Sequence, residues 1–399
     1  MNIDFLSLSL SAYDAGMNAQ LPVLDPPERL LCGPGPTNVE RSVLEAMGRP
    51  MLGHLDPAFH DILLDVVTVL RRVYRAPDGI VLPLHCTGTA GMEAGLANLL
   101  EPGDTAIVAQ SGFFGRRIAE IARRIGAEVI DVTADWGEAV PNEHLIEALD
   151  RHPRARLMAV VHAETSTGVE HPLAELGTAM ADRPTLLMAD CVTSLGGVPL
   201  DVGGWGIDFA YSCTQKCLAA PPGMSPVAVS ERAVERLLSR TKPVPFTFDL
   251  LMLQSYWVER PAVYHHTAPI LGIYALHEAL CRALDEGLEE RWARHAEAAA
   301  HLRPELASRG LQLLADPEHQ LAPLTAVRVP QGTDGEAVQG RLLHDHGIEV
   351  GGGLGPAAPA MWRIGLMGRN ATTETADRVL AALDAALAQE EAAAGAPTK

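Results

Sequence analysis

Short apolar runs recur through the first 230 residues, at 80–85, 105–109, 128–132, 157–162, 185–189, 209–212 and 226–230. Between most of them, the segments 90–100, 114–125, 143–149 and 173–180 space apolar residues three and four apart, which gives each a stripe that can lie on a sheet. This alternation predicts an α/β fold with a large, mostly parallel sheet covered on both faces. Ligands in such sheets gather at the carboxyl ends of the strands. From about residue 267 the pattern changes to long helices, 267–284 and 288–308. Short strands follow near Gln312 and at 325–329, 348–351 and 361–365, then an amphipathic helix through Val379, Leu380, Leu383 and Leu387. This predicts a smaller α+β C-terminal domain. The expected division is an N-terminal arm at 1–28 ending in Asp25-Pro26-Pro27-Glu28, a large domain at 29–285 and a small domain at 286–399. Met17 is an alternative start, and the Ala-rich tail 390–399 is expected to fray.

Composition narrows the function classes. The chain has 399 residues, 47% hydrophobic, enough to bury a real core. With 31 basic and 50 acidic residues its formal charge is −19, which disfavours a nucleic acid or an anionic membrane as partner and leaves small metabolites. The first residues, Met1-Asn2-Ile3-Asp4-Phe5, carry an acid where a signal peptide needs bases, and no apolar run is long enough to span a bilayer. A cytoplasmic protein is expected. The six cysteines (Cys32, Cys86, Cys191, Cys213, Cys217, Cys281) form no framework and are expected to be reduced thiols. Cys213 and Cys217 lack a second ligand pair at zinc spacing, so no metal is expected.

Candidate chemistry sits at the strand ends. Thr87-Gly88-Thr89 follows one strand and opens a helix, so free N–H groups and the positive helix end would meet there and suit a phosphate. An ordinary N-cap is the alternative. Asp190 ends the run Leu186-Leu187-Met188-Ala189, which carries its carboxylate to the rim of a buried sheet, where it needs a partner. A turn-capping Asp is the bland reading. Lys216 lies 26 residues on (216 − 190 = 26), in Tyr211-Ser212-Cys213-Thr214-Gln215-Lys216-Cys217-Leu218. A surface ion pair is its bland reading. An amine that forms a Schiff base and a buried carboxylate that protonates a pyridine nitrogen are together what pyridoxal-phosphate chemistry needs.

Several stretches, in order, carry a family resemblance: Cys32-Gly33-Pro34-Gly35-Pro36-Thr37-Asn38, His162-Ala163-Glu164-Thr165-Ser166-Thr167-Gly168, 190–197, 212–216 with Ala220-Pro221-Pro222-Gly223, Tyr264-His265-His266-Thr267 and Arg363-Ile364-Gly365. From about residue 30 to about 388 the chain resembles the alanine:glyoxylate and serine:pyruvate aminotransferases, class V pyridoxal-phosphate enzymes of the aspartate-aminotransferase fold, fold type I. The resemblance implies pyridoxal 5′-phosphate as cofactor, with Lys216 as its Schiff-base lysine and proton shuttle and Asp190 as the acid on the pyridine nitrogen. Thr87, Gly88, Thr89 and Gln215 match phosphate-holding positions. Tyr264 and Thr267 match positions that reach the phosphate from a neighbouring subunit, which implies a homodimer with shared sites. Thr165 matches a hydroxyl near the ring oxygen, and Val192 an apolar contact on one ring face. Phe114 stands where many members have a stacking Trp, and Thr89 replaces a His found in some. Arg363 matches the clamp on the substrate carboxylate, a role suited to its planar fork, and Gly35 is placed with it at the substrate site. The implied substrates are small amino acids and keto acids, with transfer from alanine or serine to glyoxylate or pyruvate.

Two rivals are a desulfurase or β-lyase on the same scaffold and a non-catalytic scaffold protein. The desulfurase needs a mobile nucleophilic Cys, and Cys213 and Cys217 flank Lys216 too closely. His265 and His266 are expected to point to opposite sides of an extended segment in a packing role. Gly351-Gly352-Gly353-Leu354-Gly355-Pro356 does not spell a dinucleotide fingerprint and is expected to be a mobile loop leading toward Arg363. Trp205, Trp257 and Trp362 are expected to be packing anchors.

Overall fold

The structure, a computed structural model, describes residues 24–355 and 360–394. Most of the expected arm, Met17, Pro356 and the last residues of the tail lie outside them. Seven strands, β1 (Ile80–Leu84), β2 (Thr105–Gln110), β3 (Glu128–Thr133), β4 (Leu157–Val161), β5 (Leu186–Asp190), β6 (Phe209–Tyr211) and β7 (Ser225–Val229), form one sheet in the order β1-β7-β6-β5-β4-β2-β3. Strands β2 to β6 pair in parallel, and β7 is antiparallel to both β6 and β1. Every residue of β1, β4, β5, β6 and β7 is buried. That is why these strands read as unbroken apolar runs. The edge strand β3 is covered less, and none of its residues is fully buried.

The expected helices lie at Gly88–Leu99, Phe113–Ile125, Asn142–Arg151 and Leu173–Met180. Gly91 and Gly95 let the first of these rest directly on β7 and β6: a Cβ at Gly91 would lie 2.0 Å from Ser225 Oγ, and one at Gly95 2.4 Å from the Phe209 ring. Helices at Arg41–Met47, Pro57–Tyr74, Glu231–Leu238, Leu250–Trp257 and Gly335–His346 were not anticipated. The second carried a readable start, because Asp56 Oδ1 accepts the Ala58 N–H (2.8 Å) and Pro57 opens the helix.

The long helical stretch breaks into Ile270–Glu286 and Leu288–Ser308 at Gly287, whose φ of +90° favours glycine. It begins at Ile270 behind Pro269, leaving Thr267 outside the helix. Beyond it, β8 (Leu324–Arg328), β9 (Gly351–Gly352) and β10 (Met361–Gly365) form an antiparallel sheet, β8-β10-β9. Leu302, Leu306, Trp362, Ile364, Val379 and Leu383 form the core of this unit. The strand expected near Gln312 is a single bridge, Leu313 to Val327. The expected strand 348–351 is split. Ile348–Glu349 pairs in parallel with Leu30–Leu31, and Cys32 joins the C-terminal core. Among the described residues no helix is long and apolar enough to cross a membrane.

Two local expectations change. His265 and His266 turn toward each other, with Nδ1 atoms 2.9 Å apart, because the chain bends there; His265 stacks on Phe246 and His266 packs against Tyr256 and Trp257. The loop expected at Gly351 begins as strand β9, and the Gly352 carbonyl accepts Arg363 Nε (2.6 Å).

Candidate active site

The carboxyl ends of β4 to β6 and the start of the helix Gly88–Leu99 enclose a cavity of ≈ 190 Å³. Thr87, Gly88, Thr89, Phe114, Thr165, Asp190, Val192, Gln215 and Lys216 all line it. At one wall Thr87 caps the helix, its Oγ1 accepting the Ala90 N–H (3.2 Å), so the N-cap reading holds. The cap leaves the Gly88 and Thr89 N–H groups without intrahelical partners. Gly88 is in close contact with Cys213 and Val192, and a Cβ there would lie 3.3 Å from Cys213 Cβ. Nearby, Gln215 Oε1 is buried with no hydrogen-bond partner among the described residues.

Asp190 forms another wall. It is 3% exposed, its Oδ1 accepts the Val192 N–H (2.9 Å), and its Oδ2 accepts the Tyr211 hydroxyl. Among the described residues no cation pairs with it. Burial pushes its carboxyl up to about 7, against the pull of these two donors. Lys216 Nζ donates to the Pro34 carbonyl. Burial drives its pKa down, and the Arg363 charge adds to that. Gly35 lies against this amine: its φ is +108°, and a Cβ there would come within 2.6 Å of Nζ. Arg363, on the central strand β10, is 7% exposed and is pushed down to about 10 by burial. Its Nε donates to Gly352 O and its Nη1 to Thr165 O (3.3 Å). Among the described residues Nη2 finds no acceptor.

Tyr264 and Thr267 are not brought to the cavity of their own chain. Both lie exposed on the segment between two helices, where Tyr264 is 59% exposed and packs beside His54.

The description of the class-V aminotransferases matches residues 41–376, most of the chain. The chain belongs to this family. It is 41% identical over 365 residues to the alanine–glyoxylate aminotransferase of Rattus norvegicus, covering 90% of this chain and 88% of the relative. It is 36% identical to the (S)-ureidoglycine–glyoxylate transaminase of Bacillus subtilis, covering 92% of each. The solved alanine–glyoxylate aminotransferase of Nostoc sp. superposes with a TM-score of 0.90 at 45% identity, over 93% of this chain and 98% of that one. Fold and family together imply a pyridoxal-phosphate enzyme of fold type I.

In this class-V aminotransferase the sequence reading missed Tyr211, Thr193 and Glu164. Tyr211 was legible in principle, since it ends the strand beside β5 and stands level with Asp190 in parallel register. Thr193 also lines the cavity, and its buried hydroxyl has no partner among the described residues. Glu164 is fully buried beside the cavity, with four hydrogen bonds to its carboxylate. Cys213 borders the cavity and Cys217 lies behind it. Burial pushes both thiols up to about 12, which makes them inert.

Proposed function

We propose that this chain is a homodimeric pyridoxal-phosphate aminotransferase that moves an amino group from alanine or serine to glyoxylate or pyruvate. The observation that carries the reading is a buried carboxylate without a cation partner, Asp190, sharing one small cavity with a desolvated amine, Lys216, and a helix N-terminus at Gly88 and Thr89. These groups fit the cofactor. A pyridinium nitrogen supplies the charge Asp190 lacks, and a phosphate takes the unpaired N–H groups with Thr87 and Gln215 beside it. Glyoxylate recurs in the names of the relatives while the donor differs, which supports it as acceptor.

When bound, pyridoxal phosphate supplies an electron sink that acidifies the substrate Cα–H. Asp190 holds a proton at the pyridine nitrogen. Val192 and Phe114 offer apolar surface to the ring, and Thr165 a hydroxyl to its oxygen. Lys216 Nζ, whose neutral form burial favours, takes the Cα proton and redelivers it. Arg363 receives the α-carboxylate through Nη1 and Nη2, since its long bond to Thr165 O is readily exchanged. Gly35 leaves the room that substrate needs beside Nζ. The inert thiols argue against a desulfurase.

Tyr264 and Thr267 complete the phosphate site of a second copy. Exposed Met51, Val263 and Tyr264 suit burial in that interface. Borohydride reduction of the yellow protein followed by peptide mapping is expected to place the pyridoxyl group on Lys216, and a label on another lysine overturns the assignment. A donor and acceptor screen at saturating cofactor is expected to show alanine or serine with glyoxylate as the fastest pair. Mixing a Lys216→Ala chain with a Tyr264→Ala/Thr267→Ala chain is expected to restore activity, because one of the two sites in the hybrid is intact. No recovery on mixing argues against a shared site.

A further inference from the structure

The helix Phe113–Ile125 carries Phe114 into the cavity, yet its own N-cap residue, Gly112, has no side chain to satisfy the first turn. Two residues from a distant segment do so instead. Ser166 Oγ accepts the Phe113 N–H (2.8 Å), and Glu164 Oε2 accepts the Phe114 N–H (3.0 Å) and the Gly115 N–H (3.3 Å). Glu164 Oε1 accepts the Ser166 N–H (3.0 Å) and the Ser166 hydroxyl (2.6 Å). Gly112 is required by this arrangement: a Cβ there would lie 2.4 Å from Ser166 Oγ and 2.5 Å from Glu164 Cγ. The residues on either side of Glu164, Ala163 and Thr165, both line the cavity, so the clamp joins two of its walls.

Glu164 is fully buried, and burial raises its pKa. Three of its four hydrogen bonds, however, come from backbone N–H groups, which only donate and so favour the carboxylate. Together with the positive helix end they pull against that rise.

We infer that Glu164 is the positioning residue for the ring of Phe114, its carboxylate fixing the first turn of that helix from across the cavity wall. The inference rests on the proposed cofactor site and assigns the residue that sets one of its surfaces. The ring has a second neighbour: the Arg117 guanidinium lies 5.3 Å from the Phe114 centroid and donates to Thr89 Oγ1 (3.1 Å). Ring and phosphate cradle are thus tied together.

The test uses Glu164→Gln, which keeps the length but turns an NH₂ group toward groups that are themselves donors. In the cofactor-free protein, amide exchange at Phe114 and Gly115 is expected to quicken about tenfold or more, the scale of one charge-assisted bond. Titration with pyridoxal phosphate is expected to show a Kd raised about tenfold, with a weaker visible circular dichroism band. Ser166→Ala, a milder change, is expected to move both readouts the same way by less, and it decides the matter if the Gln variant does not fold. The same substitution in a Phe114→Ala background is expected to leave Kd where Phe114→Ala alone puts it. A full additional loss there shows that Glu164 acts by another route and overturns the inference. Unchanged exchange and unchanged Kd overturn it as well. Wild-type protein that binds no pyridoxal phosphate overturns the functional reading and this role together, whereas normal wild-type binding with an indifferent variant overturns this role alone.

Discussion

Two buried aspartates stand at opposite ends of neighbouring strands. Asp208, just before β6, is 1% exposed, and its carboxylate accepts the Leu187 N–H (2.8 Å) and the Ser230 hydroxyl (2.7 Å), with Arg232 3.6 Å away. Asp190, at the end of β5, accepts one N–H and one hydroxyl and has no cation among the described residues. Both are pushed up by burial. Only Asp190 lines the cavity at the carboxyl ends of the strands. The contrast extends around them. The cavity at the amino ends of the strands is larger, ≈ 630 Å³ against ≈ 190 Å³, and is rich in arginine, but Arg183, Arg232 and Arg236 are paired with Asp150, Asp208, Glu101 and Asp104. Charges that satisfy one another stabilise a surface and leave nothing for a ligand. At the carboxyl ends the charges are few, buried and short of partners, which is the state a ligand relieves.

The comparison breaks most sharply at Lys216. Lys216→Ala is expected to abolish turnover, a loss on the order of the 10⁴-fold upper range for a positioned proton-transfer group, while the melting temperature stays near wild type. Measurable transamination by a folded Lys216→Ala protein would sink the cavity as the site.

Replacing each aspartate by Asn separates the two ends. Asp190→Asn is expected to cut exchange of the substrate α-proton by about 10²-fold or more with the fold intact. Asp208→Asn is expected to spare exchange and lower stability by about 1–3 kcal/mol, as its buried donors lose their acceptor. The pH dependence carries the same distinction. A carboxyl raised from its ordinary 3.8 to about 7 gives stability that is present in full below pH 4 and lost as pH rises through 7. In the cofactor-free protein, Asp190→Asn is therefore expected to gain stability relative to wild type between about pH 4 and 7, read by chemical denaturation at each pH. A flat difference would show that Asp190 is not the titrating group.

Arg363→Lys keeps the charge and loses the fork. A fall in kcat/KM of about 1.5–3 kcal/mol is expected in both half-reactions, with cofactor dissociation little changed. Weaker cofactor binding with unaltered substrate constants would make Arg363 structural. Arg183→Ala, at the amino-end cavity, is expected to do least. Its ion pair with Asp150 is substantially exposed, so a change of at most about 1 kcal/mol in stability and none in kcat/KM is expected.

The sequence by itself determined the chain order of the seven strands of the large sheet and of the four helices among them, because strands buried on both faces must read as unbroken apolar runs and the helices between them must carry a stripe. It also made Asp190, at a strand end, and Thr87 to Thr89, at a helix start, legible as candidates for the cavity beside Lys216, since such ends place a side chain without knowledge of the rest of the molecule. The helix Pro57–Tyr74 was legible from Asp56-Pro57. Tertiary structure alone decided which partners meet. The return of Leu30–Leu31 to Ile348–Glu349, the contact of Gly35 with Lys216, the Tyr211 hydroxyl on Asp190 and the clamp of Glu164 on the Phe114 helix join positions up to hundreds of residues apart. No local periodicity encodes such pairs. They exist because buried donors, acceptors and charges must be satisfied by whatever the packed chain brings within reach.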